Sequence, residues 1–379
     1  MKKITIVLLL VSLAEIFLWL VQIPSETLWP VGMVARELWP WLIVLNLLGL
    51  FLAYFRLRWA MVVFTAALAL SVWPLTTIPG IERNMATQWG QQGFSPDNLK
   101  IPAALPFYWR TLINIDLPNI PPNQLRSDIY FYKSPGSVGQ EPLPIIIDIH
   151  GGSWQHGTAS EDHIFASYMA NQGYAVFTID YRKAPTFHYP AQSQDVRDAM
   201  EWIFRNAPLY GADPSRIALV GRSAGGQLAL LAAYTIKRIP IRAVVSFYGP
   251  TDLTEAYEDP PDVDPLDIRS KLRAYIGNDP GELPDAYRDA SPTSHVEGDL
   301  PPTLLIQGEH DDIIQPRFAR ELQSALRKNG TKALLLKLPW SEHSFDFVHF
   351  GPGNRLALAY VDAFLQDVMT PWKTQPLTE

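Results

Sequence analysis

Three long apolar runs occupy the first 80 residues and constrain the fold more than any other feature of this sequence. Ile4–Ile23 contains one charged residue, Glu15, whereas Leu38–Phe55 and Trp59–Ile78 contain none. A helix needs about 20 apolar residues to cross the hydrocarbon core of a bilayer. We therefore predict a transmembrane region over residues 1–80, with two to three helices at about the positions of these runs.

The first run leaves two interpretations open. A carboxylate in the middle of a transmembrane helix is costly unless it faces other helices or is protonated. The alternative is a cleaved signal peptide, with Lys2 and Lys3 before the apolar stretch and small residues around Ser12 and Ala14. Cleavage there would leave an unusually short signal, so we expect a third helix.

Basic residues at the ends of the runs predict the orientation. Lys2 and Lys3 precede the first run, and Arg56 and Arg58 form a short turn between the second and the third. By the positive-inside rule these residues are cytoplasmic, which puts the rest of the chain on the extracytoplasmic side. The expected interfacial aromatic belt is present near the run ends, at Trp39, Trp41, Trp59 and Trp73.

The rest of the chain has the composition of an acidic globular domain. Beyond residue 80 it carries an excess of acidic over basic groups, which disfavours nucleic-acid binding. The absence of cysteine excludes disulfides, thiolate metal sites and a cysteine nucleophile. Clustered prolines predict a juxtamembrane connector over residues 81–124.

From residue 125 onward, apolar stretches alternate with segments of helical periodicity. The stretches are continuous, as expected for parallel strands buried on both faces. This pattern predicts an α/β domain over residues 125–379 with a mostly parallel sheet covered by helices on both faces. Residues 249–302 are too long for a simple crossover and predict an inserted lid or cap. The predicted strands are Asp128–Lys133, Ile145–Ile149, Ala175–Ile179, Ile217–Val220, Ala243–Phe247, Thr303–Ile306 and Ala333–Leu338.

A Gly-x-Ser-x-Gly motif, Gly221 to Gly225, directly follows one predicted strand and opens a predicted helix. In this context the central serine, Ser223, lies on a sharp turn that exposes its hydroxyl group. Gly221 and Gly225 must be small because the turn brings strand and helix into contact. The motif therefore predicts a nucleophilic serine.

A second glycine-rich loop, His150 to Trp154, follows another predicted strand. Its glycines let backbone N–H groups point into a cleft, where they bind a developing oxyanion. The expected donors are the N–H groups of Gly151, Gly152 and Ala224. His150 is expected to brace this loop.

A serine at neutral pH needs a base that is oriented by an acid, and in this motif context the acid and then the histidine follow in the chain. The loop after Thr303–Ile306 offers Asp311 or its neighbour Asp312 as the acid. The loop after Ala333–Leu338 offers His343 as the base, with His349 as the alternative.

With these motifs, residues 125 to 370 resemble the α/β-hydrolase serine esterases, in particular hormone-sensitive-lipase-like and bacterial feruloyl/acetyl-esterase-like carboxylesterases. The resemblance implies Ser223 as nucleophile, Asp311 as acid and His343 as base, with an oxyanion hole at Gly151, Gly152 and Ala224. Two residues depart from the family pattern: Ser153 replaces a third glycine, and Arg222 replaces the aspartate common in lipase-like members. The membrane region lies outside the resemblance.

These features predict a membrane-anchored serine hydrolase that cleaves small-molecule or lipid-like carboxylic esters through an acyl-enzyme. One alternative with the same machinery is an amidase or peptidase, such as an arylformamidase-like enzyme; another is a non-catalytic membrane receptor or scaffold. We expect no cofactor, because neither a P-loop nor a dinucleotide fingerprint is present. We expect no metal, because the triad better explains the clusters around His310 and His343.

Overall fold

The computed structural model describes residues 2–95, 99, 123–126, 128–135 and 142–369. The N-terminal region is helical, with α1 (Lys2–Leu20), α2 (Trp29–Glu37), α3 (Trp39–Arg56) and α4 (Met61–Gln91). Among the described residues, Lys3–Leu20 and Arg58–Gln91 are each long and apolar enough to cross a membrane. A third candidate exists if α2 and α3, which meet at a bend of 76°, form one span.

The carboxylate of Glu15 faces the neighbouring helices rather than the outside of the helical region. Its side chain is buried, and its Oε2 atom accepts a hydrogen bond of 2.8 Å from Asn46 Nδ2 on α3. Ser12 Oγ donates to Asn46 Oδ1 at 2.6 Å, and Ser71 on α4 completes the cluster. This is the arrangement in which a transmembrane helix tolerates a carboxylate. It favours a retained helix over a signal peptide.

The predicted connector over residues 81–124 is wrong in its first part, because α4 continues to Gln91 with Pro74 and Pro79 inside it. Tertiary contacts stabilise this extension. The side chain of Gln88 donates to the Leu335 carbonyl at 3.0 Å and accepts from the Leu335 N–H at 3.0 Å. Leu335 lies on an edge strand of the sheet, so Gln88 pairs backbone groups that the edge would otherwise leave open. Residues 101–122 of the predicted connector lie outside the described residues.

The described strands form one eight-stranded sheet in the order β1-β2-β4-β3-β5-β6-β7-β8. β1 and β2 pair antiparallel and β2 joins β4 antiparallel, while the remaining pairs are parallel. The predicted α/β class with a mostly parallel sheet is therefore confirmed. The strands are β1 (Asn123–Arg126), β2 (Ile129–Tyr132), β3 (Leu143–Ile149), β4 (Ala175–Ile179), β5 (Ala212–Arg222), β6 (Ile241–Phe247), β7 (Thr303–Gly308) and β8 (Ala333–Leu338).

Helices cover both faces of the sheet, and alternate strand residues point to opposite faces. On β8, Leu335 packs into the core beneath one layer of helices, whereas Leu334 and Leu336 pack into the other core. The first layer contains α6 (Ala191–Asn206), α7 (Ala224–Thr235) and α11 (Arg317–Lys328). The second contains α5 (His163–Asn171), α12 (Pro352–Met369) and the C-terminal part of α4. The last helix that begins in the apolar region thus ends as part of the core of the α/β domain.

The insertion between β6 and β7 is helical and lies near the glycine-rich loop after β3. It comprises α8 (Leu253–Glu258), α9 (Ile268–Ile276) and α10 (Pro284–Ala290). The ring of Tyr275 on α9 stacks on that of Trp154, with centroids 4.3 Å apart and planes inclined by 3°. This contact joins the insertion to the loop that carries Gly151 and Gly152.

Candidate active site

The turn between β5 and α7 holds Ser223 in a strained conformation. Its φ of 52° is positive, which costs energy for any residue other than glycine and is typical of functional sites. A Cβ atom at Gly221 would overlap the Gly225 carbonyl, and one at Gly225 would overlap the Ile149 carbonyl of β3. The close contact of strand and helix therefore explains why both positions are glycine.

The structure brings Ser223, His343 and Asp311 into one hydrogen-bonded chain. His343 Nε2 lies 2.9 Å from Ser223 Oγ, and His343 Nδ1 lies 2.9 Å from Asp311 Oδ2. The other carboxylate oxygen of Asp311 accepts hydrogen bonds from the N–H groups of Ile313 and Ile314, at 2.9 and 2.7 Å. The loop backbone thus fixes the acid, the acid fixes the imidazole, and the imidazole faces the hydroxyl group.

The two alternatives that the sequence left open lie in other surroundings. Asp312 Oδ1 accepts a hydrogen bond of 2.6 Å from Gln22 Nε2, a residue of the N-terminal region. His349 Nδ1 lies 3.1 Å from the Asp346 carbonyl. Neither contact involves Ser223 or His343, so the geometry favours Asp311 as the acid and His343 as the base.

The predicted oxyanion loop lies directly beside Ser223. A Cβ atom at Gly151 would stand 3.1 Å from the Arg222 carbonyl and 3.4 Å from Ser223 Cβ. The ring of His150 stacks on that of Tyr181 at 4.5 Å, and the Tyr181 hydroxyl group donates to the Gly151 carbonyl at 3.0 Å. These contacts hold the glycine-rich loop beside Ser223, where the sequence predicts that the N–H groups of Gly151, Gly152 and Ala224 bind an oxyanion.

Asp180 anchors His150 from the far side of the ring. His150 Nε2 lies 3.0 Å from Asp180 Oδ1, and Lys183 Nζ donates to the same oxygen. Burial raises the pKa of Asp180, but the hydrogen bonds from His150 and Lys183 outweigh it and lower the pKa to about 2. The carboxylate is therefore ionised at neutral pH and braces the loop as an anion.

Arg222, noted in the sequence only as a departure from the family pattern, links three parts of the site. Its Nε donates to Asp346 Oδ2 at 2.6 Å, and its Nη1 donates to Asp148 Oδ1 at 2.8 Å. Asp148 lies on β3, and Asp346 follows His343 by three residues. A charged residue inside the apolar strand β3 was the sequence signal for this network, because a buried carboxylate needs a partner.

Residues of the N-terminal region also contact the loop that carries His343, which the sequence did not predict. Arg36 Nε lies 2.8 Å from Glu342 Oε1, with both side chains buried. Glu37 accepts hydrogen bonds from Ser341 Oγ at 2.5 Å and from the Gly353 N–H at 2.8 Å. Both residues therefore hold the loop that carries His343. Two adjacent charges directly before the second apolar run were the available signal.

Glu342 itself is buried beside the site. Burial raises its pKa to about 7, and the Arg36 guanidinium opposes this increase. Nowhere in the described part of the chain, this site included, is a group of three or more His, Asp or Glu side chains arranged to hold a metal ion.

The sheet order, the strained serine turn and the Ser–His–Asp geometry are together those of the α/β-hydrolase class. A family model described as BD-FAE matches residues 128–326. The chain belongs to this family, among the α/β-hydrolase carboxylesterases.

Individual relatives agree with this assignment. The chain is 29% identical over 238 residues to "Probable carboxylic ester hydrolase LipM" of Mycobacterium tuberculosis, covering 59% of this chain and 54% of the relative. It is 33% identical over 222 residues to "Esterase LipC" of the same organism, covering 55% and 54%. The chain thus spans about half the length of the curated relatives it matches.

Among solved structures, the fold is similar to that of a protein titled "Bacterial Heroin Esterase". The TM-score is 0.60 at 24% identity, and the match covers 70% of this chain and 90% of the other.

Proposed function

We propose that this protein is a membrane-anchored serine hydrolase that cleaves carboxylic esters through an acyl-enzyme. The observation that carries the proposal is the hydrogen-bonded chain from Ser223 through His343 to Asp311 at a strained turn beside a glycine-rich loop. The names of the relatives, which are esterases or ester hydrolases, support ester rather than amide cleavage.

In the first half of the reaction, Ser223 Oγ attacks the ester carbonyl carbon while His343 Nε2 takes the hydroxyl proton. Asp311 stabilises the resulting imidazolium, and the N–H groups of Gly151, Gly152 and Ala224 stabilise the negative charge on the carbonyl oxygen. The bond to the alcohol oxygen then breaks, and His343 gives its proton to the departing alcohol.

In the second half, water replaces the alcohol. The water oxygen attacks the acyl carbon of the serine ester, and His343 takes a proton from the water at the same time. Collapse of the second tetrahedral intermediate releases the carboxylic acid, and His343 returns the proton to Ser223 Oγ. Neither half of the reaction requires an oxidant, a metal or a cofactor.

The membrane part of the proposal rests on the apolar helices. α1, α3 and α4 anchor the protein, with the basic residues Lys2, Lys3, Arg56 and Arg58 on the cytoplasmic side and the catalytic domain on the other. The polar cluster around Glu15, shared by all three helices, supports their packing as one unit. We propose that residues 1–80 form a transmembrane region that contacts lipid. The helix α4 continues from this region into the catalytic domain.

The test uses full-length protein in detergent and a fluorophosphonate probe, followed by matched ester and amide substrates. Ser223→Ala should abolish labelling and lower ester turnover by several orders of magnitude. Ser215→Ala is the matched control, because Ser215 lies on the same strand β5 and is exposed, and it should label normally. Undiminished labelling of Ser223→Ala, or absence of turnover of any ester by the unmodified chain, would overturn the proposal.

A further inference from the structure

Three tryptophans of the apolar helices form a layer beneath the catalytic loops; we call Trp19, Trp39 and Trp73 the tryptophan layer. The rings of Trp19 on α1 and Trp73 on α4 lie 6.1 Å apart, edge to face. Trp73 contacts the ring of His310 at 6.2 Å, and Trp39 on α3 contacts that of Trp340 at 6.2 Å. His310 directly precedes Asp311, and Trp340 lies three residues before His343. The two loops that carry the acid and the base therefore rest on this layer.

The tryptophan layer lies at a depth that the helix lengths define. Trp19 is sixteen residues from Lys3 along α1, Trp39 is sixteen from Phe55 along α3, and Trp73 is fifteen from Arg58. At 1.5 Å per residue each separation is about 24 Å, which is less than the roughly 30 Å of a hydrocarbon core. Of the three, Trp73 is 39% exposed, and exposed tryptophan prefers the boundary between hydrocarbon and headgroups. The loops on the tryptophan layer therefore reach the headgroup level of the bilayer.

The connection between α1 and α3, residues 21–38, borders the catalytic residues; we call it the junction segment. The ring of Trp29 meets that of His343 edge to face at 6.4 Å. Upstream, Gln22 donates to Asp312 beside the acid, and Glu26 lies 3.2 Å from Lys271 Nζ on α9. The junction segment thus extends along the site from the imidazole to the helical insertion.

The outward side of the junction segment is apolar. Leu28, Val31 and Val34 recur at a spacing of three residues, and their side chains are 55%, 50% and 38% exposed. A helix that exposes apolar side chains, meets the apolar helix α3 at a bend of 76° and sits at headgroup depth has the properties of an interfacial helix. Lipid is the occupant that fits this surface, because the surface continues directly into α1 and α3.

From this placement we propose that the active site opens onto the bilayer surface and takes amphiphilic long-chain esters from the leaflet next to the catalytic domain. The apolar chain passes from the lipids along Trp29 of the junction segment, while the ester group reaches Ser223. A chain that never leaves an apolar environment avoids the cost of hydrating its methylene groups. The inference rests on the proposed serine hydrolase and its membrane anchor.

The experiment compares two esters with the same alcohol, 4-methylumbelliferyl oleate and 4-methylumbelliferyl acetate. Full-length protein is reconstituted in phosphatidylcholine vesicles, and the oleate ester is placed either in these vesicles or in separate protein-free vesicles. We expect the initial rate of hydrolysis of the oleate ester to be at least about tenfold higher when the ester is in the protein's own vesicles. The acetate ester should be hydrolysed at the same rate in both mixtures. Equal rates from both vesicle populations, or hydrolysis of acetate alone, would overturn the inference and leave the proposed function standing. Hydrolysis of neither ester would instead refute the proposed function.

A variant pair tests the role of the junction segment. Trp29→Ala should lower kcat/KM for the oleate ester about tenfold and that for the acetate ester less than about threefold, because only the long chain contacts the indole. Trp41→Ala removes another half-exposed tryptophan of the same region, on α3, and should change neither value. An equal loss for both esters in Trp29→Ala would mean that Trp29 only supports His343, and would refute its contact with the chain.

Discussion

The buried ion pair of Arg36 and Glu342 joins the N-terminal region to the loop of His343, and Arg36→Met tests its contribution. The two side chains are 3% and 7% exposed, and burial raises the pKa of Glu342 to about 7 although Arg36 favours the carboxylate. Methionine keeps the apolar bulk of the arginine stem but not the charge. In the variant the effect of burial is no longer opposed, so the pKa of Glu342 rises further.

The sign of the effect on stability follows from proton uptake. An ordinary glutamate has a pKa of 4.5 in the unfolded chain, so Glu342 binds a proton on folding whenever the pH lies between that value and its folded pKa. In this window the native state loses stability as the pH rises, by up to about 1.4 kcal/mol per pH unit. The loss ends near pH 7 in the unmodified protein, but in Arg36→Met it continues above pH 7.

Thermal unfolding of the full-length protein in detergent, followed by tryptophan fluorescence, measures this difference. Relative to the unmodified protein, Tm of Arg36→Met should fall by about 1–2 °C for each pH unit above 7, because a chain of 379 residues has a large unfolding entropy. Adding Glu342→Gln removes the titrating group, so the double variant should show the same pH profile as Glu342→Gln alone. Parallel profiles of Arg36→Met and the unmodified protein would refute the coupling.

Three further predictions follow from the site and the membrane region. Asp311→Asn should lower kcat by about 10⁴ while the protein stays folded, because the imidazole loses its orienting anion; Asp312→Asn should keep at least a tenth of ester turnover, and the reverse pattern would transfer the role. Gly225→Ala should lower the free energy of unfolding by about 1–3 kcal/mol, since its Cβ meets the Ile149 carbonyl, and an unchanged urea midpoint would contradict this. A reporter that is active only outside the cytoplasm should be active when fused after Glu379, and activity of a cytoplasmic reporter there would reverse the proposed topology.

The sequence alone determined those features that depend on neighbouring residues. The strands Ala175–Ile179 and Ala333–Leu338 have the predicted bounds, because an apolar run between turn residues is a local property. The turn at Ser223 was equally predictable, since the glycines that permit it lie within two residues. Chain order then restricted the acid and the base to the loops after β7 and β8, where the structure brings Asp311 and His343 together.

Tertiary structure decided what depends on residues far apart in the chain. The geometry favours Asp311 over Asp312 as the acid, because the backbone N–H groups of Ile313 and Ile314 bind one oxygen of Asp311 while the other faces the imidazole. The helix α4 continues past its two prolines, and Gln88 in this extension pairs with an edge strand some 250 residues later in the chain. The pairing of Arg36 with Glu342 spans 306 residues. Such contacts arise only when the elements pack, and no local pattern encodes which buried charge will find which partner.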